Sequence, residues 1–394
     1  MPSHPAIDAV LRSAAEAGDV PGVVALAATG NEVIYQGAFG PRTVGKPEPM
    51  TADTVFWIAS MTKAIVSAAA MQMVEQGRVG LDDDVGAHLP QLKSPDVLEG
   101  WDPSGAPRLR PARRPVTLRH LLTHTAGFSY EMWNADIVRY QEHAGIPGII
   151  TCQEAALSTP LIADPGTRWE YGINIDFAGK LIEKLTGQKL GDYLQHAIFA
   201  PLGMTETGFR IRPDQRSRLA GMHARGADGS LAPIDFEMPQ DPEFQMGGGG
   251  LYSVGHDYLA FTRMILGGGM LDGARVLKPE TVALMAQNHI GPINVTRLVS
   301  VAPAATNDAE FFPGMVKKWG LGFMISTEPV SGRRSANSLT WAGLGNTYFW
   351  IDPASRVSGV ILTQVLPFAD ARVLQTYDSF EAAVYHTLSP ARAA

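Results

Sequence analysis

The spacing of apolar residues changes along the chain, and this change predicts where helices and strands lie. Near the start, apolar residues recur on one face at helical spacing and predict a helix over 6–17: Ile7, Val10, Leu11 and Ala14. Two apolar runs, 22–28 and 32–35, then flank a Thr-Gly-Asn turn signal. These runs predict an antiparallel hairpin.

A matching pattern lies near the other end of the chain. Apolar runs over 339–351 and 358–364 flank the turn signal Asp-Pro-Ala-Ser at 352–355, and they predict a second hairpin. The segment 370–388 carries one apolar stripe that predicts an amphipathic helix: Val373, Tyr377, Phe380 and Val384.

The middle of the chain has a different pattern of apolar residues. From 81 to 267 it consists of helical patterns broken by Pro/Gly-rich loops, including 103–115 and 226–242. Strands at both ends with helices between them predict an α/β protein of the α+β type, an antiparallel sheet flanked by helices. We expect a discontinuous sheet domain over 1–80 and 275–394, with a mainly helical domain inserted over 81–274.

Composition narrows the classes of function. The 394 residues carry a net charge of −7 without a basic stripe, so nucleic acid is not an expected partner. Cys152 is the only cysteine, which rules out an internal disulfide. The first residues lack a signal-peptide profile, and the longest apolar run, 64–74, is too short to span a membrane. We therefore expect a cytoplasmic protein without a membrane partner.

Ser60 and Lys63 stand three positions apart at the start of an apolar helical run. Three-residue spacing places both side chains on one helix face. A serine hydroxyl becomes a good nucleophile when a neighbour takes its proton, and burial lowers the pKa of a lysine so that it can do so. The alternative is a serine cap followed by a surface lysine, but this helix has almost no polar face. Ser60 at a helix N-terminus also offers its backbone N–H to a substrate oxyanion.

Two further segments supply candidate partners. Tyr171 precedes a helical run, and its phenol pKa would fall beside an ammonium, although a buried core tyrosine is the alternative. In the segment Trp341-Ala-Gly343-Leu344, we expect an edge strand where the glycine lets a substrate approach. The N–H of Leu344 would then join that of Ser60 in an oxyanion hole, and an ordinary core strand is the alternative.

These three elements, in this order, resemble those of the superfamily of class C β-lactamases, penicillin-binding proteins and family VIII carboxylesterases. The resemblance extends over nearly the whole chain, and the string 117–128 is its most specific support. It implies a β-lactamase-like fold, Ser60 as nucleophile, Lys63 as its partner, and Tyr171 as general base or proton relay. Whether Lys63 or Tyr171 is the base stays open.

Two departures from the family pattern point to the esterase branch. Asn174 stands one place later than the family's Tyr-x-Asn asparagine, and Trp341 replaces the lysine of the Lys-Thr-Gly triplet. An indole in place of that lysine removes an anchor for a substrate carboxylate and adds apolar surface. We expect Trp341, Gly343, Asn174, Tyr130 and Trp133 to contact the substrate.

The expected protein is therefore a serine carboxylesterase that hydrolyses short-acyl esters, a small-molecule substrate, through an acyl-enzyme, with weak β-lactam hydrolysis as a side activity. The alternatives are a β-lactamase or D-Ala-D-Ala-type peptidase, an acyltransferase, or a non-catalytic ligand-binding module. No cofactor and no metal are expected: the pair His120 and His124 has zinc-helix spacing but lacks the adjacent glutamate and a third ligand. The nucleophile-elbow motif G-x-S-x-G of α/β-hydrolases is absent from the sequence.

Overall fold

Both ends of the chain contribute strands to one antiparallel sheet in this computed structural model, which describes residues 4–388. The helices are α1 (Pro5–Glu16), α2 (Thr62–Glu75), α3 (Leu118–Leu122), α4 (Ala135–Ala144), α5 (Asn174–Thr186), α6 (Leu190–Leu194), α7 (Ala200–Leu202), α8 (Gly255–Leu266), α9 (Pro279–Met285) and α10 (Ala371–Leu388). The strands are β1 (Val23–Thr29), β2 (Val33–Phe39), β3 (Phe56–Trp57), β4 (Asp96–Trp101), β5 (Pro107–Pro111), β6 (Met222–Arg225), β7 (Leu231–Ile234), β8 (Tyr252–Ser253), β9 (Met270–Leu271), β10 (Ala274–Arg275), β11 (Lys317–Trp319), β12 (Met324–Ser326), β13 (Ser338–Gly343), β14 (Thr347–Asp352), β15 (Val357–Leu362) and β16 (Val365–Leu366).

Seven strands form the main sheet in the order β11, β12, β13, β14, β15, β1, β2. The two predicted hairpins are present, and they are joined side by side because β1 pairs antiparallel with β15, Val24 opposite Leu362. The predicted fold class, an antiparallel sheet built from both chain ends and flanked by helices, is confirmed.

Helices cover both faces of this sheet, which explains why its central strands are buried throughout. Successive residues of a strand point to opposite faces. Phe349 of β14 packs on Tyr258 of α8, with ring centroids 5.2 Å apart. The next residue, Trp350, packs on Phe380 of α10 at 5.6 Å. Every residue of β14 is consequently buried.

The structure differs from the sequence prediction in the run 339–351, which is two strands and not one. β13 ends at Gly343, and the chain turns through Leu344, Gly345 and Asn346 before β14 begins. Asn346 has a φ of 58°, a left-handed conformation that asparagine and glycine adopt readily in turns. The turn was missed because the apolar residues on either side run together in the sequence.

The middle of the chain supplies most of the helices and several short strand pairs. One such pair, β4 with β5, occupies part of the segment that was predicted to be a loop over 103–115. The division at 80/81 and 274/275 stays a prediction. Among residues 4–388, no helix has both the length and the apolar character needed to cross a bilayer.

Candidate active site

Ser60 lies in a short 3-10 turn, Ala59–Met61, that leads directly into α2. Ala59 has a φ of 43°, in the left-handed region where a residue with a side chain is strained by roughly 1–2 kcal/mol. Strain of this kind is retained where the surroundings hold the backbone in place. Here the amide of Ile58 donates to the carbonyl of Leu251 at 3.0 Å, which fixes the turn against the chain next to β8.

Lys63, the second residue of α2, is 1% exposed and has three close partners. Its Nζ lies 3.0 Å from Ser60 Oγ, 3.0 Å from the hydroxyl of Tyr130 and 2.6 Å from the carbonyl oxygen of Gly248. The structure thus brings the serine and the amine within hydrogen-bonding distance. All three partners are uncharged oxygens.

This set of partners accommodates both protonation states of the amine. An ammonium donates three hydrogen bonds, one to each oxygen. A neutral amine donates two, to Gly248 and Tyr130, and its lone pair accepts the hydroxyl proton of Ser60. When the neutral amine takes the hydroxyl proton of Ser60, that proton moves along the line between the two atoms, and the amine becomes an ammonium while Ser60 becomes an alkoxide. Proton transfer along that line therefore requires no rearrangement.

The environment of Lys63 favours the neutral form. Burial lowers the pKa of Lys63 from its ordinary value to about 7, and the negative charge of Asp176 opposes this change. At neutral pH a substantial fraction of the amine is therefore unprotonated, which is the form that accepts a proton.

Tyr171 lies in the loop just before α5, with its ring centroid 4.7 Å from Lys63 Nζ. Its hydroxyl hydrogen-bonds with Ser60 and accepts the indole N–H of Trp341 at 2.9 Å. Burial raises the pKa of the Tyr171 phenol, and these two hydrogen bonds offset only part of that effect. The expected fall of this pKa is wrong, because burial of the phenol outweighs its polar contacts.

Tyr130 has a contact that the sequence did not predict. It lines the cleft as expected, but its hydroxyl contacts Lys63 Nζ and so belongs to the proton-transfer cluster. Burial raises its pKa well above the ordinary value, so it is a neutral phenol. The sequence gives no signal for this contact, since Tyr130 lies in no recognisable motif beside Lys63.

Asp176 is a buried carboxylate beside Lys63 that sequence reasoning missed. It lies in the first turn of α5 and is 1% exposed. One carboxylate oxygen accepts the backbone N–H of Gly248 at 2.8 Å. Burial raises the pKa of Asp176, and the nearby Lys63 lowers it. The available signal was its position five residues after Tyr171.

Among the described residues, no charged side chain lines the cleft in front of Ser60. The wall includes most of the predicted contact residues and is largely aliphatic or aromatic. Its lining residues are Trp57, Ala59, Ser60, Tyr130, Met132, Trp133, Ile149, Ile150, Tyr171, Met246, Gly249, Leu298, Trp341, Ala342, Gly343, Leu344 and Phe368. Such a surface favours a neutral, apolar substrate group and offers no cation to bind a carboxylate.

The strand end Trp341–Gly343 forms a local edge beside the cleft. β12 pairs with β13 only as far as Thr340. Among the strands in residues 4–388, the last three residues of β13 pair with β14 alone. Backbone groups on their other side therefore face the cleft, as the edge-strand prediction requires, although β13 as a whole is an interior strand.

Gly343 has a packing role besides the one expected. A Cβ at this position would lie 2.3 Å from the carbonyl oxygen of Ile58 and 2.3 Å from the Thr347 hydroxyl. The missing side chain thus lets the strand pack against the turn that carries Ser60, while Gly343 also lines the cleft. Leu344 follows at the rim of the same cleft.

Asn174 does not line the cleft, and its assignment to substrate binding is corrected. Its side-chain nitrogen lies 3.0 Å from Nδ1 of His124, deep in the protein. His124 in turn packs against the ring of Tyr171, with centroids 4.8 Å apart. Asn174 is directed away from the cleft because it lies within the first turn of α5, three residues beyond Tyr171.

The two histidines of zinc-helix spacing diverge. His120 Nδ1 accepts the backbone N–H of Thr117 at the start of α3, whereas His124 contacts Asn174. Across residues 4–388, no group of three His, Cys, Asp or Glu side chains has the arrangement of a metal site.

Comparison with known proteins identifies the family. The family model described as Beta-lactamase matches residues 7–383. Among curated proteins, the chain is 34% identical to monacolin J acid methylbutanoyltransferase from Aspergillus terreus, over 96% of this chain and 95% of that one. It is 33% identical to lovastatin esterase from Penicillium rubens, over 97% and 98% of the two chains.

Solved structures agree with this placement. Unliganded simvastatin synthase from Aspergillus terreus superposes with a TM-score of 0.84 at 33% identity, over 97% of each chain. EstCE1, a hydrolase with promiscuous acyltransferase activity, superposes with a TM-score of 0.76 at 26% identity, over 96% of this chain and 98% of that one. The chain belongs to the beta-lactamase family, with the serine β-lactamase-like fold, and it is an enzyme of the serine hydrolase type.

Proposed function

We propose that this enzyme is a carboxylesterase of the family VIII type, which cleaves short-acyl esters through an acyl-enzyme at Ser60. One observation carries the proposal. Ser60 Oγ lies 3.0 Å from Nζ of the buried, partly neutral Lys63 and beside the Tyr171 phenol, at the base of a cleft lined by uncharged side chains. The hydroxyl has a proton acceptor, and the cleft suits an apolar acyl group.

The first half of the reaction transfers the acyl group to Ser60. The ester carbonyl docks with its oxygen at the backbone N–H groups of Ser60 and Leu344, where developing negative charge is stabilised. Lys63 takes the hydroxyl proton as Ser60 attacks the carbonyl carbon. When the carbon–oxygen bond to the alcohol breaks, the leaving alkoxide receives that proton, through Lys63 directly or by relay through the Tyr171 hydroxyl.

The pKa directions favour Lys63 over Tyr171 as the group that takes the proton. The pKa of the amine is lowered toward neutrality, whereas that of the phenol is raised. A general base works best when its pKa lies near the working pH. Tyr171 is then a neutral phenol that orients Ser60 and relays protons, and Trp341 fixes the phenol through its indole N–H.

The second half of the reaction frees Ser60, and two acceptors compete for the acyl group. Water gives ester hydrolysis, and an alcohol gives acyl transfer. The apolar cleft and the names of the relatives, a methylbutanoyltransferase and a hydrolase with promiscuous acyltransferase activity, support acyl transfer as the second candidate. Both candidates share the acyl-enzyme and differ only in the acceptor.

The cleft argues against β-lactams and cell-wall peptides as main substrates. Both carry a carboxylate, and Trp341 stands where the family's lactam-binding members have a lysine. An indole with its N–H committed to Tyr171 offers nothing to that anion. An anion buried without a partner is strongly disfavoured.

The test is a panel of nitrophenyl esters from acetate to decanoate, together with nitrocefin, with wild type and Ser60→Ala. We expect the short esters to give the highest kcat/KM, and Ser60→Ala to fall to the uncatalysed rate. Mass spectrometry of wild type after a fluorophosphonate probe is expected to find one adduct, on Ser60. Adding butanol and measuring butyl ester against free acid separates transfer from hydrolysis.

Three outcomes would count against the proposal. Nitrocefin turnover above that of nitrophenyl acetate would select a β-lactamase. Full esterase activity in Ser60→Ala would reject the nucleophile. Absence of both turnover and adduct in folded wild type would select a ligand-binding protein on the same fold.

A further inference from the structure

We infer that Asp176 is a positioning residue for the reaction, a buried carboxylate whose negative charge acts on Lys63 through the single residue Gly248. This inference rests on the proposed function, since it concerns the proton acceptor of Ser60. Asp176 is buried and interacts with Lys63, and it is not among the described residues that line the cleft.

Gly248 bridges Asp176 and Lys63 through its backbone N–H and its carbonyl. Its backbone N–H donates to Oδ1 of Asp176 at 2.8 Å, and its carbonyl accepts from Lys63 Nζ at 2.6 Å. The carboxylate therefore polarises the same residue that holds the amine. Lys63 and Asp176 are both 1% exposed, so water does little to screen the charge between them.

The glycine at 248 is required by the closeness of this packing. A Cβ there would lie 2.6 Å from Oδ2 of Asp176 and 2.7 Å from the Tyr130 hydroxyl. These distances are shorter than van der Waals contact, so any side chain would push apart the groups around Lys63. This explains one member of the Gly-rich run at 247–250, which carries no phosphate-loop signature.

Oδ2 of Asp176 adds an observation that packing alone does not explain. This oxygen is buried, and it has no hydrogen-bond partner among the described residues. An unsatisfied buried carboxylate oxygen is costly and usually has a reason. Here its charge is not neutralised by a direct partner, so it acts on the nearest buried cation, the protonated form of Lys63.

The separation of the Lys63 amine from the Asp176 carboxylate matters for the reaction. A carboxylate in direct contact would keep Lys63 permanently protonated, and the amine could not accept the Ser60 proton. A carboxylate one residue away leaves the amine partly neutral before attack. It then stabilises the ammonium that forms as Ser60 loses its proton.

Other titratable groups also face Lys63 and Asp176. They are the neutral phenols of Tyr130 and Tyr171, the buried His124, Glu131, and the thiol of Cys152. Burial lowers the pKa of His124 well below its usual value, which keeps the imidazole neutral. Glu131 acts on Asp176 and raises its pKa. Asp176 is the group whose charge raises the pKa of Lys63.

The experiment follows the rate at which a fluorophosphonate labels Ser60 between pH 5 and 10, in wild type and Asp176→Asn. We expect the midpoint of the Lys63-dependent limb to move to lower pH by about one pH unit, since a nearby opposite charge raises a lysine pKa. The maximal labelling rate is expected to fall about 10- to 100-fold. Asp176→Glu, which keeps the charge, should return the midpoint toward that of wild type.

Asp257→Asn is the matched control. Asp257 is also 1% exposed and lies in the first turn of a helix, α8, but its carboxylate accepts from Thr207 and from the amide of Glu206. Loss of the Asp257 charge should leave the pH midpoint of Ser60 labelling unchanged. An unchanged midpoint in folded Asp176→Asn would overturn the inference while wild-type labelling still supports the nucleophile. Failure of wild type to label would instead reject the proposed function.

A stability measurement covers the case in which Asp176→Asn folds poorly. If the two charges act on each other, Lys63→Met leaves Asp176 without its cation, and the double variant Lys63→Met/Asp176→Asn is more stable than the two single effects predict. Strictly additive unfolding midpoints in this double-mutant cycle would contradict the coupling.

Discussion

Two buried basic side chains, Lys63 and Arg334, differ in the charge of the groups that contact them. Arg334 is 0% exposed and is held by Glu381, with Nε 2.8 Å from one carboxylate oxygen and Nη2 2.7 Å from the other. Burial lowers its pKa, but Glu381 and Tyr377 more than offset this, so its pKa is raised. Lys63 has only neutral oxygens in contact, and its pKa is lowered.

The difference teaches how a buried positive charge becomes reactive. Direct contact with a carboxylate fixes the charge, and the residue then serves the structure. Contact with neutral groups, and a carboxylate one residue further away, leaves the proton free to move. Burial alone therefore does not distinguish a structural cation from a proton acceptor, and the nature of the contact groups does.

Making Lys63 a permanent cation is expected to have the largest effect. Lys63→Arg replaces a titratable amine by a guanidinium that stays protonated, so Ser60 loses its proton acceptor. We expect kcat/KM for nitrophenyl acetate to fall about 10²–10⁴-fold, the usual contribution of general base catalysis. Circular dichroism serves as the folding control, and Lys63→Met should lose as much activity. Retained activity in Lys63→Arg would indicate that Tyr171, and not Lys63, is the general base.

Breaking the ion pair between Arg334 and Glu381 is expected to lower stability and to leave activity nearly unchanged. Arg334→Met removes the close bidentate partner of the buried Glu381 and leaves it, among the described residues, only Arg333 at 3.7 Å as a cationic partner. Breaking a buried pair typically costs about 3–5 kcal/mol in the free energy of unfolding. Urea denaturation measures this loss, with Arg297→Met, which breaks an exposed ion pair with Asp308, as the control. Per folded molecule, kcat/KM should stay near that of wild type. A large loss of activity without loss of stability would contradict the contrast between the two cations.

The pH profile of wild type provides a third comparison. Because the amine must be neutral to accept a proton and its pKa is lowered to about 7, activity should rise as pH increases through that value. Below it, kcat/KM should fall about tenfold for each pH unit, since the neutral fraction falls in that proportion. An acidic limb absent down to pH 5 would argue that Lys63 acts in its protonated form.

The smallest predicted effect concerns the hydrogen bond that orients the phenol. Trp341→Phe keeps an aromatic wall but removes the indole N–H that Tyr171 accepts. We expect kcat to fall about three- to tenfold with little change in KM, in line with the net value of one hydrogen bond. Trp133→Phe, which changes another indole of the cleft, is the control and should affect KM more than kcat.

Local sequence patterns predicted the parts of the molecule that depend on short-range order. Alternating apolar runs indicated the hairpins, and three-residue spacing indicated that Ser60 and Lys63 share a helix face. Contacts between distant segments could not be predicted in this way. Tyr130, Asp176 and Gly248 approach Lys63 from separate loops and helices, and no spacing in the sequence links them.

The errors have the same physical origin. Asn174 was assigned to substrate because it is close to Tyr171 in sequence, but a helical turn directs it towards His124. The pKa of Tyr171 was expected to fall because an amine is near, but complete burial outweighs that attraction. The resemblance to a known family supplied what local patterns could not, namely which distant segments meet.

The close fit of Gly343 against the carbonyl of Ile58 has a consequence for biosynthesis. The strand that completes the cleft is translated long after the serine turn it packs on, so the nascent chain carries an unfinished reactive centre for most of its synthesis. The active site therefore needs both segments in place, because residues 341–344 form part of the cleft wall beside the turn that carries Ser60.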